Sequence, residues 1–248
     1  MQEHERYLRQ LILPEVREEG QERLKSASVA LIGLGGLGSP AATYLAYAGT
    51  GKLRLIDRDC VEASNLNRQT LHTPFDVGKP KVESAKEKLS KVNPFSVIEA
   101  FEEEFDDQNA GRLLSGMDIV LDCLDSISSR IVLNEACFRA RIPFVHAAVH
   151  GFDGEIGLFV PGRTACYSCY LEKRRPPLSS SPLPVLGTTP GLLGTLQALE
   201  AIKWILGIPS PLEGSIHFLR TLSLEFTRIR VIKREGCLAC QGFHGKVK

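Results

Sequence analysis

The sequence predicts an α/β fold: a doubly wound, mostly parallel sheet extended by antiparallel strands in the C-terminal third. Three observations carry this. Apolar runs rich in β-formers alternate with helix-compatible segments up to His150, a glycine-rich turn joins the first such strand to the first such helix, and beyond His150 the strands no longer alternate regularly with helices. With 248 residues, 43% hydrophobic and 24% charged, the chain is expected to be a single domain with a full core.

Residues 1–26 read as a helical arm, and Ala27-Ser-Val-Ala-Leu-Ile32 as the first strand, entering the glycine turn and then a helix over 41–48. Lys52-Leu-Arg-Leu-Ile-Asp57 alternates and closes on an acid, as a second strand does. A helix over 79–91, with Val82, Ala85 and Leu89 on one face, stops before Asn93-Pro94. A strand at 97–101, a short helix at 107–114, a strand at 117–122, a helix at 126–140 and a strand at 142–149 complete a half spanning 27–150. The remaining part, 151–248, holds strands at 154–160, 216–219 and 225–232, which fit an antiparallel extension of the sheet. Between them, 173–191 is rich in Pro and Ser and reads as a long crossover loop, a kind of segment that usually carries function. The apolar stretch 191–208 is interrupted by Gln197, Glu200 and Lys203 at three-residue intervals, so it predicts an amphipathic helix with Trp204 and its leucines in the core, and no membrane span.

Thirty basic against 29 acidic residues give a net charge of +1, so no global field draws the chain to nucleic acid or an anionic membrane. The first ten residues are charged throughout and lack the apolar core of a secretory signal, and a cytoplasmic protein is expected.

Gly33-Leu-Gly-Gly-Leu-Gly38 places Gly33, Gly35 and Gly38 in a G-x-G-x-x-G turn, with Gly36 between them and Asp57 closing the next strand. Glycine lets backbone approach phosphate, the helix N-terminus offers N–H donors, and a strand-end carboxylate accepts ribose hydroxyls. This pattern alone fits NAD as well as ATP, so an NAD-dependent oxidoreductase stays open at this point. Asp57 as a plain strand-end acid stays open too. Further signals follow in Ser64-Asn-Leu-Asn-Arg-Gln69 and Gly78-Lys-Pro-Lys81. Lysine at a helix start opposes the helix dipole, which points to an anion nearby. Asp122 and Asp125 lie where doubly wound folds bind ligands; Asp122 is expected to pack within the strand and Asp125 to face the ligand.

These motifs, continued by Leu121-Asp-Cys-Leu-Asp125, Asn134, Cys166-Tyr-Ser-Cys169, Gly194 to Lys203 and Cys237-Leu-Ala-Cys240, resemble the ThiF/MoeB/HesA family, prokaryotic relatives of ubiquitin-activating enzymes, over nearly the whole chain. The Gly194 to Lys203 segment and Gly151-Phe-Asp-Gly-Glu155 lean towards the ThiF side. The resemblance implies a Rossmann-like domain that adenylates the C-terminal glycine of a small ubiquitin-like sulfur-carrier protein with ATP and Mg²⁺. It also implies that Gly36 and Asp57 contact the nucleotide, that Ser64, Asn65, Arg68 and Lys81 hold phosphates and ribose, and that Asp125 and Ser126 face the Mg²⁺–triphosphate. Arg9, in Arg6-Tyr-Leu-Arg-Gln10, matches an arginine that reaches the ATP of a partner subunit, which implies a homodimer. The chemistry needs no general base, because a C-terminal carboxyl with a pKa of about 3.5 is already ionised; cations must hold two anions together. Arg9, Arg68 and Lys81 are the expected cations and Asp125 the metal ligand.

Two C-x-x-C pairs, Cys166/Cys169 and Cys237/Cys240, suit a closed tetrahedral Zn²⁺ site of structural kind, with a redox pair as the less economical alternative and His244 as a spare. Cys60, Cys123 and Cys137 read as small buried hydrophobes, and His146 and His150 as satisfied core or rim histidines. Many members of the family carry a cysteine in the crossover loop that links covalently to the carrier, and 173–191 has none. The expectation is an enzyme that stops at the acyl-adenylate and relies on a separate sulfur donor such as a cysteine desulfurase. Lys173-Arg-Arg175 and Ser179 to Ser181 are candidates to guide the carrier's tail, or a solvated linker. A catalytically inactive scaffold is the remaining alternative, because Asp125-Ser126 stands where Asp-Asn is common in the family.

Overall fold

In the computed structural model, which describes residues 3–174 and 184–241, the apolar runs assemble into one eight-stranded sheet. Two helices, α1 (Glu3–Leu11) and α2 (Arg17–Ser26), precede β1 (Ser28–Ile32), α3 (Gly38–Ala48), β2 (Lys52–Ile56), α4 (Lys81–Val92), β3 (Val97–Phe101), α5 (Ala110–Leu114), β4 (Ile119–Asp122), α6 (Ile127–Ala140) and β5 (Phe144–His150). Then follow β6 (Asp153–Phe159), α7 (Tyr167–Arg174), α8 (Thr188–Leu206), β7 (Ser215–Arg220), β8 (Glu225–Arg230) and α9 (Leu238–Gln241).

The spatial order is β3-β2-β1-β4-β5-β6-β7-β8. Strands β3 to β5 pair in parallel and β5 to β8 antiparallel, as the sequence predicts. Because β2 and β4 leave opposite sides of β1, the chain reverses direction across the sheet between β1 and β4, and the helices after them diverge to open a crevice at the strands' carboxyl ends. Alternation sends Val29 and Leu31 to one face, under α3, α4 and α8, and Ala30 and Ile32 to the other, under α5, α6 and α7. Two apolar layers therefore fix the sheet between helices.

Helix α8 departs from the expected pattern. It begins at Thr188, so the predicted loop 173–191 is shorter: α7 runs to Arg174 and residues 175–183, with Arg175 and Ser179 to Ser181, lie outside the described residues, as does His244. Pro190 sits in the first turn, where its missing N–H costs no hydrogen bond. The polar side chains also face inward: Gln197 is fully buried and donates to the Asp122 and Val145 carbonyls at 2.8 and 3.0 Å, while Glu200 is buried against Lys203 and Ser210. Carbonyls above the end of the β4–β5 ladder need donors, and Gln197 supplies them. Leu193 and Leu206 are core, Trp204 is partly buried beneath Arg163, and Leu192 and Leu199 are exposed. Cys123 and Cys137 are buried as expected, but Cys60 is exposed, because it lies in the loop after Asp59 and outside both apolar layers.

Beside α4, His72 is buried with Nδ1 2.9 Å from Ser84 Oγ, and burial holds its pKa down to about 4, with Lys88 adding to the effect. An unfolded histidine protonates near 6.5, so this contribution is intact above that pH and is lost as the pH falls towards 4, by about 3 kcal/mol at most. His72→Gln is expected to flatten the decline in melting temperature between pH 7 and pH 5; an unchanged slope would contradict this origin.

Candidate active site

At the switch point, β1 runs into Gly33, whose φ of +98° is open to glycine and strained for other residues. A Cβ there would stand 2.6 Å from the Cys123 carbonyl oxygen, so the turn after β1 touches the turn after β4 directly. Gly38 carries a different constraint: its Cβ would lie 2.1 Å from the Gly33 oxygen, which identifies it as a packing glycine. No side chain caps α3; the Ser39 N–H is taken by the Gly35 carbonyl at 3.0 Å and Pro40 has none, so an anion at this end would meet the backbone of the glycine turn before the helix.

A cleft of about 570 Å³ opens above these turns. Of the sequence candidates, Gly33, Gly35, Gly36, Asp57, Asn65, Arg68, Lys81, Asp125 and Ser126 all line it. Asp57 accepts the Leu34 N–H at 2.7 Å and the Asp59 N–H at 2.9 Å, so it ties β2 to the glycine turn. Burial pushes its carboxyl up, against the pull of Lys81 and these two N–H groups. Lys81 is 5% exposed and its ammonium is held 2.8 Å from Asp59 Oδ2, within the cleft at the start of α4. Arg68 donates to the Ser64 carbonyl at 2.9 Å, which aims the guanidinium from the 64–69 segment into the cleft. Ser126 caps α6 by accepting the Ser129 N–H at 3.1 Å.

Three candidates fall outside the lining. Gly38 packs beneath it, Ser64 points away to Glu62 at 3.1 Å, and Arg9 lies on α1. Helix α1 is anchored at the far end of α3, through Gln10 Nε2 to the Ala48 carbonyl at 3.0 Å, about 16 Å of helix from the glycine turn. Arg9 does not complete the cleft of its own chain.

The structure adds residues that the motif reading left without roles. Gln69 is buried in the lining, and its Oε1 has no hydrogen-bond partner among the described residues, an acceptor suited to a ligand's hydroxyl or amino group. Arg58, Asp59, Glu103, Glu104 and Arg130 also line the cleft. Asp57, Asp59, Glu103, Glu104 and Asp125 are thus five carboxylates against four cations, Arg58, Arg68, Lys81 and Arg130. A larger cavity of about 780 Å³ beside Arg163, Arg228 and Arg230 shares no lining residue with this cleft, and the converging chemistry belongs to the smaller one.

On the opposite face of the sheet, Cys166 and Cys169 at the start of α7 meet Cys237 and Cys240 around α9. All four are buried and their sulfurs lie within 4.8 Å of one another, with Sγ–Sγ separations of 3.5 Å (Cys166–Cys237) and 3.7 Å (Cys166–Cys169 and Cys169–Cys240). Tetrahedral ligands about 2.3 Å from a zinc ion are roughly 3.7 Å apart, so the cluster has the dimensions of a closed four-thiolate site.

Residues 7–239 match the family model described as the ThiF family. The chain belongs to the ThiF family. It is 39% identical over 247 residues to a sulfur carrier protein adenylyltransferase of Thermus thermophilus, covering 96% of this chain and 91% of that protein. It is also 39% identical over 241 residues to a molybdopterin-synthase adenylyltransferase of Escherichia coli, covering 96% and 97%. Among solved structures, Escherichia coli MccB with ATP superposes with a TM-score of 0.78 at 27% identity, over 89% of this chain and 68% of that one. In this ThiF-family chain, the glycine turn, the acids after β2, Arg68 and Lys81 line one cleft. Among the described residues, no helix is long and apolar enough to cross a membrane.

Proposed function

We propose that this chain uses ATP to adenylate the C-terminal glycine carboxylate of a small ubiquitin-like sulfur-carrier protein. The observation that carries the reading is the convergence of Arg68, Lys81 and Asp125 on a cleft floored by the glycine turn and the uncapped start of α3. The carboxylate oxygen attacks the α-phosphorus, the bond from that phosphorus to the bridging oxygen breaks, and pyrophosphate leaves with the electron pair. Both reactants are anions, so the residues act by holding them together and by countering charge on the leaving group. Lys81, fixed by Asp59, and Arg68, fixed by the Ser64 carbonyl, meet the phosphates without first paying for reorganisation. Asp57 and Gln69 accept bonds from the nucleoside.

The excess of carboxylates over cations in the lining supports a metal–nucleotide complex over a bare polyanion. Asp125 would hold the Mg²⁺, which supplies charge neutralisation of the phosphates when bound. Zn²⁺ would fill the four-cysteine site and serve structure, tying α7 to the chain end.

The chain acts as a homodimer in which Arg9 serves the partner's cleft. This is supported by the separation of Arg9 from its own cleft and by exposed apolar residues on the same side of the sheet: Leu8 of α1, Tyr44 and Tyr47 of α3, and Leu192 and Leu199 of α8. The carrier docks near the β7–β8 turn. Strand β7 runs in the same direction as β5 and β4, so this turn, with exposed Leu222 and Leu224 and nearby Phe152, emerges at the same end of the sheet as the cleft. Sulfur comes from a separate donor such as a cysteine desulfurase, since 173–191 holds no cysteine; the pathway is that of thiamine, molybdopterin or a related metabolite.

The names of both relatives support adenylation over NAD-dependent oxidation and over an inactive scaffold. Incubated with ATP, Mg²⁺ and a carrier ending in Gly-Gly, the protein is expected to yield a carrier species heavier by one AMP moiety, resolved by intact-mass spectrometry. Tight NAD binding without ATP binding, or no adduct with thiamine-type and molybdopterin-type carriers alike, would overturn the reading.

A further inference from the structure

Apart from Arg130, which lines the cleft, the cation–acid network on the zinc-facing side of the sheet has no part in the chemistry above. Register puts it there: Asp122 of β4 pairs with His146 of β5, His146 with Gly157 of β6, and Glu155 lies two residues from Gly157 on the same face. His146 is fully buried, with Nδ1 2.6 Å from Asp122 Oδ2 and Nε2 3.2 Å from Glu155 Oε1. Tyr170 of α7 donates to Glu155 Oε2 at 2.7 Å. On the other side, Arg130 of α6 stands with Nε 3.5 Å from Asp122 Oδ2 and donates to the carbonyls of Leu124 and, at 3.2 Å, Ala147. Asp122 Oδ1 accepts the Leu124 N–H at 3.2 Å. Both polar ends of Leu124, the residue before Asp125, are therefore clamped by this network.

We infer that His146 and Glu155 are positioning residues: a doubly protonated His146 bridges two buried carboxylates, keeps Asp122 aimed, and through Asp122 and Arg130 sets the turn that presents Asp125 to the cleft. The inference rests on the adenylation reading for the task of Asp125. Both ring nitrogens face carboxylate oxygens, and a ring with one proton satisfies only one of them. The 3.2 Å separation on the Glu155 side suits N–H···O and is long for an acid O–H donor. Charge then balances, Asp122 and Glu155 against Arg130 and His146, as buried ions require. Around the network the Tyr167 ring lies 4.6 Å from the imidazole, and burial raises the Cys137 thiol.

Two measurements test this. In the unmodified protein, ¹⁵N-histidine NMR should show both nitrogens of His146 protonated through pH 8; a neutral ring there would overturn the charge assignment, whatever the protein's activity. In exchange assays, His146→Asn keeps a donor towards Asp122 but loses the charge, and is expected to lower kcat by about tenfold or more with the KM for carrier unchanged. Glu155→Gln added to it restores neutrality and should return kcat to within about threefold of the parent. A packing role predicts additive losses instead, and a double variant no better than His146→Asn would overturn the positioning role. If no protein variant or parent supports exchange, the adenylation reading fails while the NMR result still decides the charge state.

Discussion

Lys81→Ala is expected to lower carrier-dependent exchange of pyrophosphate into ATP by about 10³-fold, at nearly unchanged melting temperature. Lys81 is buried in the cleft wall, and its ammonium acts on both acids: it stands 2.8 Å from Asp59 and lowers the Asp57 carboxyl against the effect of burial. Without it, Asp59 loses its nearest cation and Asp57 its main counter-charge, and the nucleotide's phosphates meet both acids less screened. Preorganised donors aimed at developing charge typically contribute 10²–10³ in rate, and here the donor is fully charged as well. Lys81→Arg should recover part of the loss, since the charge remains but the longer planar group cannot sit where the ammonium does. Steady-state exchange rates with melting curves as control check this; a loss below about tenfold for the alanine variant would remove Lys81 from the machinery.

Cys166→Ser is expected to release the bound zinc and lower the melting temperature by at least about 10 °C. Cys166 is one corner of the four-thiol cluster, 3.5 Å from Cys237 and 3.7 Å from Cys169, and a hydrogen bond from Cys240 holds its pKa below the usual thiol range. Four sulfurs share one metal, so a ligand lost is most of the affinity lost. The chain from Cys237 to Cys240 would then be held to α7 and α6 by small apolar contacts and by Arg234, which reaches Cys169 and Glu172. Metal analysis and calorimetry of purified protein decide the matter. Substitutions in the cleft should leave zinc at about one per chain, and a Cys166→Ser protein that keeps its metal or melts like the parent would contradict a structural site.

Much of this site was legible in the sequence because its signals are local. Glycines before a helix, an acid closing a strand and paired cysteines at fixed spacing each report a short stretch of backbone, and β1, α3 and β2 followed from periodicity within a few residues at each end. The C-terminal strands were legible as well, since no helix long enough for a crossover separates β5 from β6 or β7 from β8. What stayed hidden depends on contacts between distant elements. Gln197 and Glu200 read as the polar face of α8, but strand-end carbonyls and Ser210 claim them, and Leu192 and Leu199 lie on the outside. Gln69 lies inside a recognised motif, yet only the closed fold leaves its Oε1 buried and unpartnered among the described residues. His146 and Glu155 meet Asp122 through the register of three strands, which no spacing in the sequence encodes. Cys60 looked like a buried hydrophobe by residue type, and a single loop placed it in solvent.

The central claim is that this cleft joins a carrier's terminal carboxylate to AMP, and equilibrium exchange of labelled pyrophosphate into ATP tests it without waiting for sulfur transfer. With Mg²⁺ and a ubiquitin-like carrier ending in Gly-Gly, label should enter ATP, and removing the terminal glycine or substituting Asp125 by alanine should abolish incorporation. Exchange that proceeds equally without carrier, or that no thiamine-type, molybdopterin-type or related carrier elicits, would contradict the account.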